Sequence, residues 1–386
     1  MIGNLSAISV RATTWLFTDA LPLWSSTGRD SQTGGFVEKI SLSGAPETAR
    51  RRVRVSARQA YVYAEAGRLG WQGPWADNVR HAMLFLNERG RRPDGALAAW
   101  ISAEGDITDA GPDLYDQAFY LFALAQAYQT LGDQSYRTDA LRLIALMRQE
   151  MKNPAGGYEE GLARKLPLRS NPHMHLLEAA LAWMAADASP EWRQLGEEMI
   201  RLARTRFIDP EAGFLLEEFD GDWQPLHNPE DRPTEPGHNF EWAWLLFRWH
   251  QVTGDDTRAL ARQLIDFAES KGVDPKRKVA MNQLTGAGRL LDSGARMWPQ
   301  TERMKAALAH ASDSVGDERK LAEARAAEAG DAIFRYLDTP VKGLWRDKLT
   351  IDGSFVEEAA PASTFYHIIC AFSELQAYLK SQSSAS

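Results

Sequence analysis

A short turn signature recurs six times along this 386-residue chain, and it constrains the fold more than any other feature. Gly34-Gly35-Phe36-Val37-Glu38 returns as Pro93-Asp94-Gly95-Ala96-Leu97 and as Asn153-Pro154-Ala155-Gly156-Gly157-Tyr158-Glu159. It comes again as Asp209-Pro210-Glu211-Ala212-Gly213-Phe214, as Asp274-Pro275-Lys276-Arg277-Lys278-Val279 and as Thr339-Pro340-Val341-Lys342-Gly343-Leu344-Trp345. The copies stand roughly 56 to 65 residues apart, the length of two helices and two loops. Asp-Pro, Asn-Pro and Gly are turn formers for stated stereochemical reasons. The fifth copy has lost its glycine, so the repeat is degenerate.

The stretches between turns carry helical periodicity, as in Leu141–Met147, Phe240–Phe247 and Ala371–Tyr378. Leu121–Tyr128 is apolar almost all round, the pattern of a helix buried among others. No unit of this length buries its apolar face alone, so the six must stack. Closing six helical hairpins into a ring gives an inner circle of buried helices and an outer amphipathic circle. The expected fold class is therefore all-α, an (α/α)6 barrel, as one domain over residues 1–380 with a polar tail at 381–386. An open solenoid competes. Closure is preferred because it brings distant histidine segments together.

Four of the eight histidines lie in three such segments, Asn171–Glu178, Pro236–Trp242 and Thr364–His367. Imidazole, with an unperturbed pKa of about 6.5, both takes and gives a proton near neutrality. His175 and Glu178 are three residues apart, and His238 and Glu241 repeat that spacing. A Glu one helical turn on can fix an imidazole tautomer or raise its pKa. His173-x-His175 followed by Glu also suggests a divalent metal, but such sites want more ligands in a compact set. The reading is a hydrogen-bonding pair, with no metal and no cofactor. His81, His227, His250 and His310 read as surface groups.

Arg58 sits among apolar and aromatic residues, so it either points into a cavity or pairs with Asp116 or Glu178. Arg51, Arg52 and Arg54 read as a solvated face. Asp116 reads either as a helix cap or as a sugar contact, with Tyr115 and Phe119 as a stacking wall. Trp298 and Glu302 add an aromatic and an acid at another helix start, and Asn171 precedes the first histidine pair. Thirteen Trp residues suit either core packing or a carbohydrate site.

The net charge of −8 and pI near 5.6 argue against nucleic-acid and anionic-membrane partners. Cys370 is the single cysteine, which excludes internal disulfides and fits a reducing compartment. Residues 13–24 are broken by Asp19 and Pro22 and lack the form of a secretory signal. No stretch approaches the ~20 apolar residues of a membrane span. The expectation is a cytoplasmic monomer or homodimer acting on a small molecule.

Arg58-Gln59, His175-Leu176-Leu177-Glu178-Ala179, Pro236-Gly237-His238-x-x-Glu241, Trp298-Pro299-Gln300-Thr301-Glu302 and the terminal His367 together resemble the N-acylglucosamine 2-epimerase superfamily. That superfamily includes cellobiose 2-epimerases, sulfoquinovose and mannose isomerases, and a mannose-6-phosphate isomerase branch. The resemblance covers nearly the whole chain and implies the same (α/α)6 barrel. It implies His238 and His367 as the general acid/base pair and Arg58 as the stabiliser of an enediolate. His175, Glu178 and Glu241 would orient the open-chain sugar, with Trp298 and Glu302 lining the pocket. The residues around His367 resemble the mannose isomerase branch, while Gln117 is closer to the cellobiose enzymes and stands where a histidine is expected.

The implied activity is interconversion of D-mannose and D-fructose, or of their 6-phosphates, through a cis-enediolate. A 2-epimerase uses the same groups and differs only in where the enediolate is reprotonated. The basic loop 162–169 is either a phosphate clamp or solvated surface. From other classes, Asp116, Glu178 and Glu241 suggest a two-carboxylate glycoside hydrolase, and a sugar-binding protein without turnover is a third reading.

Overall fold

Every turn signature closes one helix and begins the loop that feeds the next. The computed structural model describes residues 2–47 and 49–384. Its helices are α1 (2–26), α2 (Arg54–Arg68), α3 (75–90), α4 (Leu114–Leu131), α5 (Gln134–Glu150) and α6 (Ser170–Ala186). They continue as α7 (190–207), α8 (Pro236–Thr253), α9 (258–272), α10 (Trp298–Asp313), α11 (Gly316–Tyr336) and α12 (Ala362–Ser384). The even-numbered helices form the inner ring, each packed on the next, and α12 returns to pack on α2. That contact closes the (α/α)6 barrel and rules out the open solenoid. Helix α12 takes in residues 381–384 of the expected tail, and residues 385 and 386 lie outside the described residues.

Local chemistry explains the helix limits. Asp113 caps α4 by accepting the Tyr115 amide at 2.9 Å, and Gly132 ends the same helix at φ +73°. An anionic Ncap satisfies one of the amides that a helix start leaves bare, and a left-handed glycine ends the last turn without a Cβ clash. Connections from inner to outer helices are two to six residues long, whereas those from outer to inner run 19 to 28 residues. All the long loops therefore emerge at the N-terminal ends of the inner helices. Short antiparallel strands, absent from the sequence-based expectation, lace them together. Lys39–Ile40 pairs with Ala360–Pro361, joining the first loop to the last. Arg51–Arg52 pairs with Trp100–Ile101, and Leu168–Arg169 with Glu218–Phe219.

The repeated turn has a specific role. In five copies, the residue two past the left-handed position donates its amide to a side chain in the first turn of the following inner helix. Phe36 donates to Ser56 Oγ at 3.3 Å, Leu97 to Gln117 Oε1 at 2.8 Å and Tyr158 to His173 Nε2 at 3.0 Å. Leu215 donates to Asn239 Oδ1 at 2.9 Å and Ala280 to Gln300 Oε1 at 2.8 Å. Each clamp satisfies a buried amide that would otherwise carry a desolvation cost. Where the fifth copy lacks glycine, Lys278 itself takes φ +59°. The turn geometry is kept even though a non-glycine residue is disfavoured there.

Candidate active site

The inner-helix N-termini and the long loops enclose a cavity of about 440 Å³, within the range of ~300–1,000 Å³ typical of small-molecule sites. Arg58, Tyr115, Asn171, His175, His238, Glu241, Trp298 and His367 all line it. The two imidazoles from the fourth and sixth hairpins flank one indole: ring centroids lie 5.1 Å apart for His238–Trp298 and 5.6 Å for Trp298–His367.

Those two imidazoles are prepared in opposite ways. His367 donates from Nδ1 to Glu302 Oε1 at 2.8 Å, which leaves Nε2 bare. Burial, with Arg58 and Lys305 nearby, holds its pKa well below the usual 6.5, so the ring is neutral. Burial pulls His238 down as well, but Glu217 and then Glu235 outweigh it and push the ring up to about 9. Glu217 receives His238 Nδ1–H at 3.0 Å. Asn171 Nδ2 is drawn 3.2 Å from His238 Nε2, while Asn171 Oδ1 is buried without a partner. With the ring protonated, the amide is turned over, so that Oδ1 accepts from His238 Nε2–H and Nδ2 takes the position without a partner. A neutral imidazole thus faces an imidazolium in one cavity. Groups whose pKa values are driven apart in this way are suited to base and acid work respectively.

His175 is also neutral. Burial depresses it to about 4 despite its Nδ1 contact with Glu178 Oε2 at 3.1 Å. Glu178 additionally accepts the Tyr366 hydroxyl. Burial and the neighbouring Glu302 drive Glu241 well above the ordinary carboxylate range, so it is a neutral acid at the wall. Arg58 donates to the Ser363 carbonyl at 2.9 Å and to the Tyr115 hydroxyl, which aims the guanidinium across the cavity. His175, Glu178 and Glu241 present ligand-type atoms within 4.8 Å of one another, as do Glu241, Glu302 and His367. Both sets are chemically able to hold a cation. Lys305 already brings an ammonium to Glu302 Oε2 at 2.6 Å.

Several expectations need correction. Asp116 neither caps α4 nor lines the cavity: it is fully buried beneath Arg54, 2.5 Å from its guanidinium, and Asp113 is the cap. Glu178 and Glu302 stand behind His175 and His367 and do not line the pocket themselves. The His238–Glu241 spacing does not make a pair, because Glu217, from the loop before α8, takes that imidazole. Arg52 and Arg54 line the cavity and Arg51 is buried, so these three are no solvated face. His173 is a turn clamp, and His310 is buried against Glu318 at 2.8 Å. Of the basic loop 162–169, only Arg169 reaches the cavity, while Arg164 pairs with Glu159.

Residues 34–371 match the N-acylglucosamine 2-epimerase family, and the chain belongs to it. It is thus an isomerase-class enzyme, a sugar isomerase or epimerase with a small-molecule substrate. The mannose-6-phosphate isomerase of Rhizobium meliloti (strain 1021) is 44% identical over 373 residues, covering 95% of this chain and 96% of that protein. The cellobiose 2-epimerase of Bacteroides fragilis is 25% identical over 366 residues, 88% of this chain and 90% of its own. The solved structure of the cellobiose 2-epimerase from Spirochaeta thermophila superposes with a TM-score of 0.87 at 22% identity, covering 98% of each chain. No helix among the described residues is long and apolar enough to cross a membrane.

Proposed function

We propose that this chain is an aldose–ketose isomerase that interconverts D-mannose and D-fructose through a cis-enediolate. The neutral His367 set against the cationic His238 within one cavity carries the enediolate chemistry, and the 44% identity to a mannose-6-phosphate isomerase favours the isomerase outcome. His367 Nε2 removes the C2 proton of the open-chain aldose while His238 turns its Nε2–H from Asn171 to O1 and donates that proton. The resulting enediol then returns: His238 takes the proton from O2, and His367 delivers its proton to C1. Arg58 stabilises negative charge as it builds on the oxygens, a preorganised electrostatic role. His175 and Glu241 orient the hydroxyls. Each positioned proton transfer is typically worth about 10² to 10⁴ in rate.

The 6-phosphates are the second reading. Arg52, Arg54 and Arg169 on the cavity wall favour it, as does the 44% identity to a mannose-6-phosphate isomerase. Each of these arginines already has a carboxylate partner, Glu38, Asp116 and Glu160 respectively. The hydrolase reading loses support, since of Asp116, Glu178 and Glu241 only Glu241 faces the cavity.

Incubation of mannose, mannose 6-phosphate, N-acetylglucosamine and cellobiose in D2O, followed by NMR, separates these outcomes. Deuterium at C1 of a ketose supports isomerisation. Deuterium at an inverted C2 supports epimerisation instead, and full activity in His367→Ala removes the scheme.

A further inference from the structure

One charged group beneath the cavity has no part in the scheme above. Lys305, one turn after Glu302 on α10, is fully buried. Its Nζ lies 2.6 Å from Glu302 Oε2 and 3.8 Å from the centroid of the Trp244 ring. The contact with Glu302 is an ion contact, since neither atom meets hydrogen-bond geometry with any partner. A buried ammonium is costly to desolvate and persists only where carboxylates compensate. Glu302 on its own helix and Glu178 on α6 act on it as charges, with Cys370 of α12 and Glu241 on α8 beside them.

Three carboxylates packed this closely cannot all carry charge, so their partners decide which do. Burial pushes Glu178 up, but His175, Lys305 and the Tyr366 hydroxyl outweigh it and hold it below the ordinary range. Burial pushes Glu302 up, and the Lys305 ammonium offsets part of that, so Glu302 is raised less than Glu241, which stands well above the ordinary range. Glu241 Oε1 has no hydrogen-bond partner.

We propose that Lys305 is a positioning residue for the isomerisation, its ammonium fixing the negative charge of the Glu241–Glu302 pair on Glu302. The charged Glu302 holds His367 as the Nδ1–H tautomer and leaves Nε2 bare toward the sugar. Glu241 keeps the proton of the pair and presents a hydroxyl donor at the wall. Without the ammonium, the proton passes to Glu302, whose hydroxyl then donates to His367 Nδ1. Nε2 would carry the hydrogen, and the base would be gone. The reaction affected rests on the isomerase reading, whereas the tautomer does not.

Lys305→Met tests the idea, with Lys305→Met/Glu302→Gln as its partner. The single variant should lose about 10²-fold in kcat with KM within about threefold, the loss of one general base. The double variant should recover at least about tenfold over it, because a neutral amide oxygen accepts from His367 Nδ1–H with no cation behind it. Replacing both members of a buried ion pair is also better tolerated than removing one. If Lys305→Met does not fold, the folded double variant decides: activity within about tenfold of the parent supports the proposal, and an inactive folded protein overturns it. A folded Lys305→Met enzyme with parental kcat, or losses that simply add, overturns it too. ¹⁵N-histidine spectra without substrate keep this separate from the isomerase reading: the His367 proton should sit on Nδ1 in the parent and on Nε2 in the single variant, and an unchanged tautomer refutes the role of Lys305.

Discussion

His238 and His367 have the same side chain and opposite charge states, and the difference comes from their carboxylate partners. Glu217 is joined by Glu235 around His238, so the net field there is strongly negative. Around His367, Glu302 is offset by Lys305 and Arg58, and burial prevails. The alkaline limb of the kcat/KM–pH profile should follow His238, at about 9 in the parent, and Glu217→Gln should lower it by about one unit or more. A limb left in place would mean that another group titrates there. The histidines themselves were legible in the sequence, because imidazoles stand out at the starts of apolar helices. Glu217 was not. It lies on a different segment, 21 residues before its partner, and nothing in local spacing reports a contact made through the loop. Lys305 did leave a trace, the three-residue spacing from Glu302, but a lysine on an amphipathic-looking stretch reads as surface.

At the level of elements, the turn clamp accounts for polar residues whose place in a buried helix has no catalytic reason. Gln117 both accepts the Leu97 amide and donates to the Leu97 carbonyl at 3.1 Å. Gln117→Ala leaves two buried backbone groups bare and should cost about 2–4 kcal/mol, read from the urea midpoint. His173 fills the same role in the third repeat, and this explains the His-x-His pair that suggested a metal. Its clamp works only while the ring is neutral, and burial lowers its pKa to about 4. The folded pKa lies below the unfolded value of about 6.5, so this contribution is present above pH 6.5 and is lost as pH falls toward 4. His173→Gln, copying the clamp of the second repeat, should remove that dependence. The parent should lose stability relative to the variant by up to about 1.4 kcal/mol per pH unit between pH 6.5 and 4. Parallel denaturation curves across that range would refute the clamp's neutral state. The turn repeat was plain in the sequence, whereas the strands lacing the loops were not, because two- and three-residue segments carry no periodicity to detect.

For the molecule as a whole, ring closure converts six weak local signals into one site. Closure puts every inner-helix N-terminus at the same end, so His175, His238 and His367, drawn from the third, fourth and sixth hairpins, meet without any being near another in sequence. The repeat left a closed ring and an open solenoid both standing, the histidine segments favoured closure, and the ring then implied a shared cavity. What the repeat could not convey was depth. Asp116 and Glu302 occupy the same helix positions as His238 and Arg58, which line the cavity, yet side-chain packing places them behind it, and Glu178 lies one turn deeper than His175. The account stands on the charge states of two rings, and ¹⁵N-histidine NMR titration of the ligand-free protein reads them directly. At pH 7 His238 should carry protons on both nitrogens and release one at about 9, while His367 stays neutral with a bare Nε2 at every pH above 6.5. Two rings in the same charge state at pH 7 would contradict it.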